Sequence, residues 1–427
     1  MNKIGIGILG AGVVGGSLIK RLIDDREVIT TKTGLSLEVV KVAVRSIDKE
    51  RSFSLSPAML TAEPMEVVNH PDVELVVEIM GGREPAGELV MAALRAGKPV
   101  VTANKELIAT SGASLIAAAA EAGVQLLFEA AVGGGIPIVR PVSETLAGEP
   151  INRIVGIVNG TTNYILTRMS EHGATYDEAL KEAQALGYAE SDPTADVSGA
   201  DAAAKAAILA SLGFGTWVGL DQVHHEGIEA IDVADIRLVQ ERGYVVKLLA
   251  FAERLPGGLS VRVHPALVRS NHPLAAIRGA TNAVLIEGSS VGELLFSGPG
   301  AGGGPTATAV LGDVIDAART LGSGAESAPP IQLGKGSVVP FGDVETSWYI
   351  RTEVNDSPGV LARIAQLFGD NDVSIRSVWQ EGRGERATLI LITHPTDESS
   401  QRTAVAGLSE LDVVTEVGAA IRVAFDE

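Results

Sequence analysis

The sequence predicts an α/β protein in three parts: a doubly wound parallel sheet, then a mixed α+β region, then a small βαββαβ domain. Three observations carry this. Up to Phe128, short apolar runs alternate with helical stretches, the mark of parallel strands covered on both faces. Past Glu149 the strands cluster late instead of alternating, as in a mixed or antiparallel sheet. Residues 347–427 then read strand, helix, strand, strand, helix, strand, the split-βαβ order.

Taken in order, Lys3–Leu9 is an Ile-rich run followed by glycines and a helix from about Val14 to Leu22. Leu37–Arg45 and Val73–Ile79 are the next strands. Glu84–Ala96 reads as a helix ended by Gly97, Pro99–Ala103 as a strand, and Leu107–Ala122 as an Ala-rich helix ended by Gly123. Gln125–Phe128 closes the parallel set. Beyond it come a strand at Ile151–Val158 and helices at Asn163–Glu171, Tyr176–Leu186 and Ala200–Leu212. Strands follow at Val245–Glu253, Leu259–His264 and Ala283–Gly288, and a helix at Ala307–Leu321. The Gly/Ser/Pro-rich stretch 326–346, with Pro329-Pro330 and Pro340, reads as a linker. The expected domains are therefore 1–135, 136–325 and 347–427.

Composition narrows the function. The 427 residues carry 34 Lys+Arg against 53 Asp+Glu, a formal charge of −19, and no basic stripe, which argues against a nucleic-acid partner. Cysteine is absent, so disulfides, thiolate metal sites, iron–sulfur clusters and a Cys nucleophile are excluded. No apolar run reaches the ~18 residues of a membrane span. The N-terminal apolar stretch is short, glycine-rich and without a basic n-region, so it is not read as a targeting segment. The expectation is a cytoplasmic protein with no membrane partner. His224-His225 are adjacent and lack helical metal-pair spacing, so no zinc site is read.

Gly10-Ala11-Gly12-Val13-Val14-Gly15 follows the first strand and opens the first helix. The first glycine permits the tight turn, the second lets a pyrophosphate approach the backbone, and the third lets helix and strand pack. The helix N-terminus offers free N–H groups to the phosphates. The expectation is a Rossmann-type dinucleotide site. The second strand ends in Arg45 rather than an acid, which favours the 2′-phosphate of NADP over NAD. Asp48 nearby pulls the other way, so both coenzymes stay open.

Six ordered motifs resemble one family. They are Thr102-Ala103-Asn104-Lys105, Glu129 to Pro137, Asn159-Gly160-Thr161-Thr162-Asn163, Gly187-Tyr188-Ala189-Glu190-Ser191-Asp192-Pro193, Gly199 to Lys205, and Gly298-Pro299-Gly300-Ala301-Gly302. Together they look like homoserine dehydrogenase over about residues 3–325. Asn355-Asp356-Ser357-Pro358-Gly359-Val360-Leu361 resembles an ACT regulatory domain, a ferredoxin-like fold. The resemblance implies reversible NAD(P)H-dependent reduction of L-aspartate 4-semialdehyde to L-homoserine, on the route to threonine, methionine and isoleucine. It also makes 136–325 a catalytic and dimerisation domain, in a homodimer or homotetramer.

On spacing alone, Asp201 and Lys205 are an i,i+4 pair on an Ala-rich helix. The resemblance makes Lys205 the proton donor to the carbonyl oxygen and Asp201 a substrate-holding acid. Lys105 opens a helix, where a cation is electrostatically unhelpful, which favours a functional reading. By resemblance it stands between nicotinamide and substrate, with Thr102, Gly187 and Gly302 against the cofactor and Glu190 on the substrate amino group. Glu129 with the carbonyls of Val132, Gly134 and Ile136 would hold a structural sodium or potassium ion. Asn355, Asp356, Gly359 and Val360 would bind an amino-acid effector, with threonine as candidate. Two other readings stay open: an amino-acid sensor with a vestigial dinucleotide fold, and another NAD(P)-dependent oxidoreductase of a small substrate.

Overall fold

In Lys3–Leu9 the residues Ile4, Ile6 and Ile8 point to one face and Gly5 and Gly7 leave the other open to close packing, so the strand is buried from Ile4 onward. The computed structural model describes residues 3–51, 53–323, 331–382 and 385–425. In it the chain forms two units, each assembled from three separate segments.

The first unit comprises Met1–Ile154, Ala204–Gln222 and Asn282–Gly336. Its sheet runs Leu60–Thr61, Ser36–Ala43, Lys3–Leu9, Leu75–Glu78, Val100–Thr102, Leu126–Leu127, with every pairing parallel. The chain winds outward on one side of Lys3–Leu9 and then crosses to the other, so a topological switch point lies at its carboxyl end. The helix Val13–Asp24 packs on this sheet beside Gly303–Ser323, whose Val310 and Val314 join Leu18, Leu22, Ile6 and Ile8 in one core. Lys105–Ala122 is capped at its start by the Asn104 side chain, which accepts from the Leu107 N–H at 3.1 Å, and ends at left-handed Gly123.

The second unit comprises Val155–Ala203, Val223–Thr281 and Ser337–Glu427. A long antiparallel hairpin joins Tyr244–Leu255 to Gly258–Arg269. Gly258–Arg269 pairs in parallel with the chain's last strand, Val414–Val423, at Ala266–Arg422 and Leu267–Val423. That last strand belongs to the βαββαβ module. Its order is Val414–Val423, Glu345–Asn355, Arg386–Thr393, Ile375–Glu381, all antiparallel, with Val360–Asp370 and Glu398–Leu408 on one face. This is the ferredoxin-like arrangement, and Trp348, Ile364, Phe368 and Leu408 fill its core.

The residues 326–330 of the expected linker lie outside the described residues. The rest of it is tied down. Gly334 donates to the Gly215 carbonyl and accepts from the Trp217 N–H, while Ser337 and Val339 bond Leu259. Four α-helices were not legible in the sequence: Arg26–Thr33, Pro64–Asn69, Thr194–Val197 and Val233–Glu241. The first is crowded with Val28, Ile29 and three threonines, poor helix formers that tertiary contact through buried Ile29 overrides. The Gly298-Pro299 motif ends an edge strand, Gly292–Pro299.

Candidate active site

The glycine loop shows why each glycine is where it is. Gly10 adopts φ +102°, and a Cβ there would meet the Ile79 carbonyl at 2.8 Å. A Cβ on Gly15 would collide with the Gly10 carbonyl, whereas one on Gly12 would stand in open space. The loop is thus packed behind and clear in front, over the free N–H groups of Val13–Asp24. That clear space over a helix N-terminus fits a dinucleotide pyrophosphate. Gly302 and Gly303 open the distant helix Gly303–Ser323 beside this loop, with a Gly303 Cβ falling 2.7 Å from Ser17 Oγ and 3.0 Å from Val13 Cγ1. Arg21 Nη1 ties the two helices by donating to Thr308 Oγ1 at 2.8 Å.

The carboxyl edge of the sheet gathers other expected residues. Arg45 is exposed just past Ser36–Ala43, and Lys105 is exposed at the first position of its helix. Thr102 is different. Its hydroxyl, wholly buried, donates to Glu78 Oε2 at 2.6 Å and accepts from the Asn104 N–H, so the side chain is committed to the protein. Glu78 also accepts from the Met80 and Gly81 N–H groups and shapes the neighbouring loop. The sequence reading missed Arg51, whose guanidinium donates to the carbonyls of Ser46, Ile47 and Lys49 and folds the segment after Arg45 around itself.

Glu129 is buried and its carboxylate accepts three backbone N–H groups, from Ile138 at 2.6 Å, Val139 at 2.8 Å and Arg140 at 2.9 Å. It caps the turn that follows, as an acid does at a helix start. Its own N–H donates to Asp313. Burial pushes the Asp313 carboxyl up to about 7, against the lowering pull of that N–H and of Arg140. The buried residues Val132, Gly134 and Ile136 present carbonyls that accept no hydrogen bond among the described residues. Such carbonyls suit a hard cation.

In the second unit the acids converge. Asn159 caps Gly160–His172 through its side-chain oxygen, and its amide donates to Asp196 Oδ1 at 2.7 Å and Asp201 Oδ2 at 2.9 Å. Two carboxylates thus share one amide. Lys205 lies one turn beyond Asp201 on the helix Ala200–Phe214; Asp201 is 6 % exposed and Lys205 8 %. An amine and an acid thus stand one turn apart on one helix, both buried. Asn159 and Asp196 were not assigned roles from the sequence; Asn159 stands in a quoted motif, but nothing in spacing singles out Asp196.

Gly187 ends the helix Tyr176–Ala185 at φ +77°. Its N–H bonds the Gln184 carbonyl and the Tyr188 N–H bonds the Ala183 carbonyl, a Schellman ending that by itself accounts for glycine there. Glu190 is exposed three residues on. Thr161 Oγ1 donates to the Tyr188 carbonyl at 2.6 Å and holds this turn against Gly160–His172.

In the ferredoxin-like module, Asn355, Asp356, Gly359 and Val360 line one cavity of ≈ 620 Å³ with Gln380 and Leu389. Gln380 Nε2 donates to Asp356 Oδ1 at 3.1 Å. Polar groups at the rim and apolar ones behind suit a small amphipathic molecule.

Comparison with known proteins agrees with this layout. Family models match as the homoserine dehydrogenase NAD-binding domain over residues 10–129, homoserine dehydrogenase over 137–315 and the ACT domain over 348–412. The chain is 44 % identical to homoserine dehydrogenase of Corynebacterium glutamicum over 100 % of its length and 96 % of that protein's. It is 40 % identical to that of Bacillus subtilis over 99 % of both. A crystal structure of the Thiobacillus denitrificans homoserine dehydrogenase superposes with a TM-score of 0.93 at 42 % identity, covering 99 % of this chain and 98 % of that one. A hyperthermophilic archaeal homoserine dehydrogenase in complex with NADPH matches 77 % of this chain and all of that one, with a TM-score of 0.62 at 31 % identity. With family models matched along most of its length and relatives 40–44 % identical over 99–100 % of it, this chain belongs to the homoserine dehydrogenase family of oxidoreductases.

Proposed function

We propose that the protein interconverts L-aspartate 4-semialdehyde and L-homoserine, on the route to threonine, methionine and isoleucine. The observation that carries the site assignment is buried Lys205, one turn beyond an Asp201 held by Asn159. A bound nicotinamide dinucleotide supplies the two-electron exchange at the carbonyl carbon. Lys205 gives a proton to the oxygen as charge grows there, and takes it back in the reverse direction. Asp201, Asp196 and Glu190 offer negative charge to the substrate ammonium. Lys105 balances negative charge from the cofactor side. The loop Gly10–Gly15, the Thr102 backbone, Gly187 and Gly302 hold the dinucleotide.

Exposed Arg45 favours NADP, and the NADPH complex of the archaeal relative supports that choice. A sodium or potassium ion fits the carbonyls of Val132, Gly134 and Ile136. Glu129 keeps further lone-pair sites for it beyond its three N–H bonds. The ion would brace the loop and take no part in proton transfer. The cavity at Asn355, Asp356, Gly359 and Val360 is read as the amino-acid effector site, with threonine as ligand. We read the protein as cytoplasmic and as a homodimer or homotetramer, with domains at 1–135, 136–325 and 347–427. Among the described residues no helix is long and apolar enough to cross a membrane.

The test is an assay of purified protein with homoserine and each oxidised coenzyme, with and without threonine. Homoserine-dependent reduction, faster with NADP, is expected. No turnover with either coenzyme would overturn the assignment. Threonine inhibition that persists unchanged in a chain ending near Gly334 would remove the effector from the C-terminal module.

A further inference from the structure

The acid cluster has a mechanical support that lies outside the site. Asp196 and Asp201 flank the turn Val197–Gly199, where Gly199 takes φ +84° and its N–H bonds the Asp196 carbonyl. The turn is pressed against the segment Glu226-Gly227-Ile228. A Cβ on Gly199 would meet the Glu226 carbonyl at 2.8 Å, and one on Gly227 would collide with the Val197 carbonyl. The Ile228 N–H bonds that same Val197 carbonyl at 2.9 Å. Wherever the backbone of Glu226–Ile228 goes, the turn between the two acids must follow, because neither contact has slack.

Two things hold that backbone: the Glu226 N–H, which donates to the Val263 carbonyl at 2.8 Å, and the Glu226 side chain. Arg422, on the last strand of the ferredoxin-like module, grips it with both ends of its fork, Nη1 to Oε2 at 2.6 Å and Nη2 to Oε1 at 2.8 Å. Arg402 Nη2 and His224 Nε2 also reach Oε1. Arg422 is itself held: its Nε bonds both oxygens of Glu398, and its guanidinium lies 4.7 Å from the Trp348 ring centre. Glu398 is wholly buried and also accepts from Thr346, Trp348 and Arg402. Burial pushes Glu226 up, yet the bonds from His224 and Arg422 outweigh it and hold the carboxylate far below its usual range. The fork therefore stays charged at neutral pH.

We propose that Glu226 is a positioning residue for the reaction: its fork with Arg422 sets the Val197–Gly199 turn, and so the placement of Asp196 and Asp201, from the C-terminal module. The proposal rests on the reading of those two acids as the ones that face homoserine. It makes the last strand of the module a mechanical input to substrate binding.

The test is steady-state kinetics of the full-length enzyme for four single variants and for the double variant Glu226→Gln with Arg422→Lys. Glu226→Gln keeps the side-chain shape and loses the charged fork. Arg422→Lys keeps the charge and loses the bidentate geometry. Glu287→Gln breaks an unrelated half-buried pair with Arg153 and serves as control. Asp201→Asn reports on the acid itself. Glu226→Gln and Arg422→Lys are each expected to raise the KM for homoserine about tenfold, about 1.4 kcal/mol. The KM for the coenzyme should stay within about twofold, and the double variant should be no worse than either single one. Glu287→Gln should match the parent. If Glu226→Gln fails to fold, Arg422→Lys carries the same test. An unchanged homoserine KM in Arg422→Lys and Glu226→Gln beside an impaired Asp201→Asn would overturn the proposal. So would both KM values rising together. Normal homoserine kinetics in Asp201→Asn would instead remove the underlying acid reading, and the proposal with it.

Discussion

The Gly10–Gly15 loop is made of consecutive residues, whereas the amide of Asn159 reaches acids 37 and 42 positions away. In the proposed function both regions prepare a place for a ligand. The loop does so with backbone alone: its shape follows from missing side chains and its charge from the end of a helix. The acid cluster needs three segments held in register by tertiary packing, down to the contact of Gly199 on Glu226. A local device of this kind tolerates change elsewhere in the molecule and fails on one added methyl. A non-local one tolerates conservative change on site and fails when a distant support is lost.

The largest expected effect would test the second region. Lys205→Ala should cut turnover about 10²–10⁴-fold, the range of a lost acid/base group, while coenzyme binding followed by fluorescence stays near normal. Turnover near the parent's would take Lys205 out of the chemistry. Next comes the loop. Gly15→Ala adds a methyl that must displace the Gly10 carbonyl, so coenzyme affinity should fall about tenfold or more. The homoserine KM at saturating coenzyme should move little. Equal losses for both ligands would erase the contrast between the two regions.

The smallest effect concerns a support of the helix Gly160–His172, which Asn159 caps. Lys247 is buried and donates to Asn163 Oδ1 at 2.9 Å and to the Ile277 carbonyl, and Asn163 in turn donates to the carbonyls of Gly279 and Thr281. Burial lowers the Lys247 pKa to about 8, from an ordinary 10.5. Between those values the unfolded chain binds more protons than the folded one. The destabilising contribution is therefore fully present below pH 8 and fades as pH rises toward 10.5. Denaturation midpoints should show that rise in the parent and lose it in Lys247→Met. A parent curve that falls across the window would contradict the burial argument.

Much of the first unit was legible. Lys3–Leu9, the Ala-rich helix before Gly123 and the alternation of strands with helices follow from periodicity and stop signals. Arg26–Thr33 was not, because its threonines and Val28 argue locally against the helix that buried Ile29 secures. At the site, the motif residues could be named but their division of labour could not. Thr102 turns its hydroxyl into the sheet, Gly187 is accounted for by a helix ending, and Glu129 is committed to three N–H groups. Asp196 gave no signal, since its partner Asn159 is far along the chain.

What the linear order of residues determined is whatever depends on near neighbours: strand and helix periods, the dinucleotide loop, the order of domains and, through its motifs, the family. Tertiary structure alone decided that the last strand pairs with Gly258–Arg269, that Asn159 is shared between two acids, and that Arg422 reaches Glu226. The physical reason is range. Backbone sterics and helix capping act within a few residues, while an ion pair or a close glycine contact depends only on distance in space, which packing of the whole chain sets.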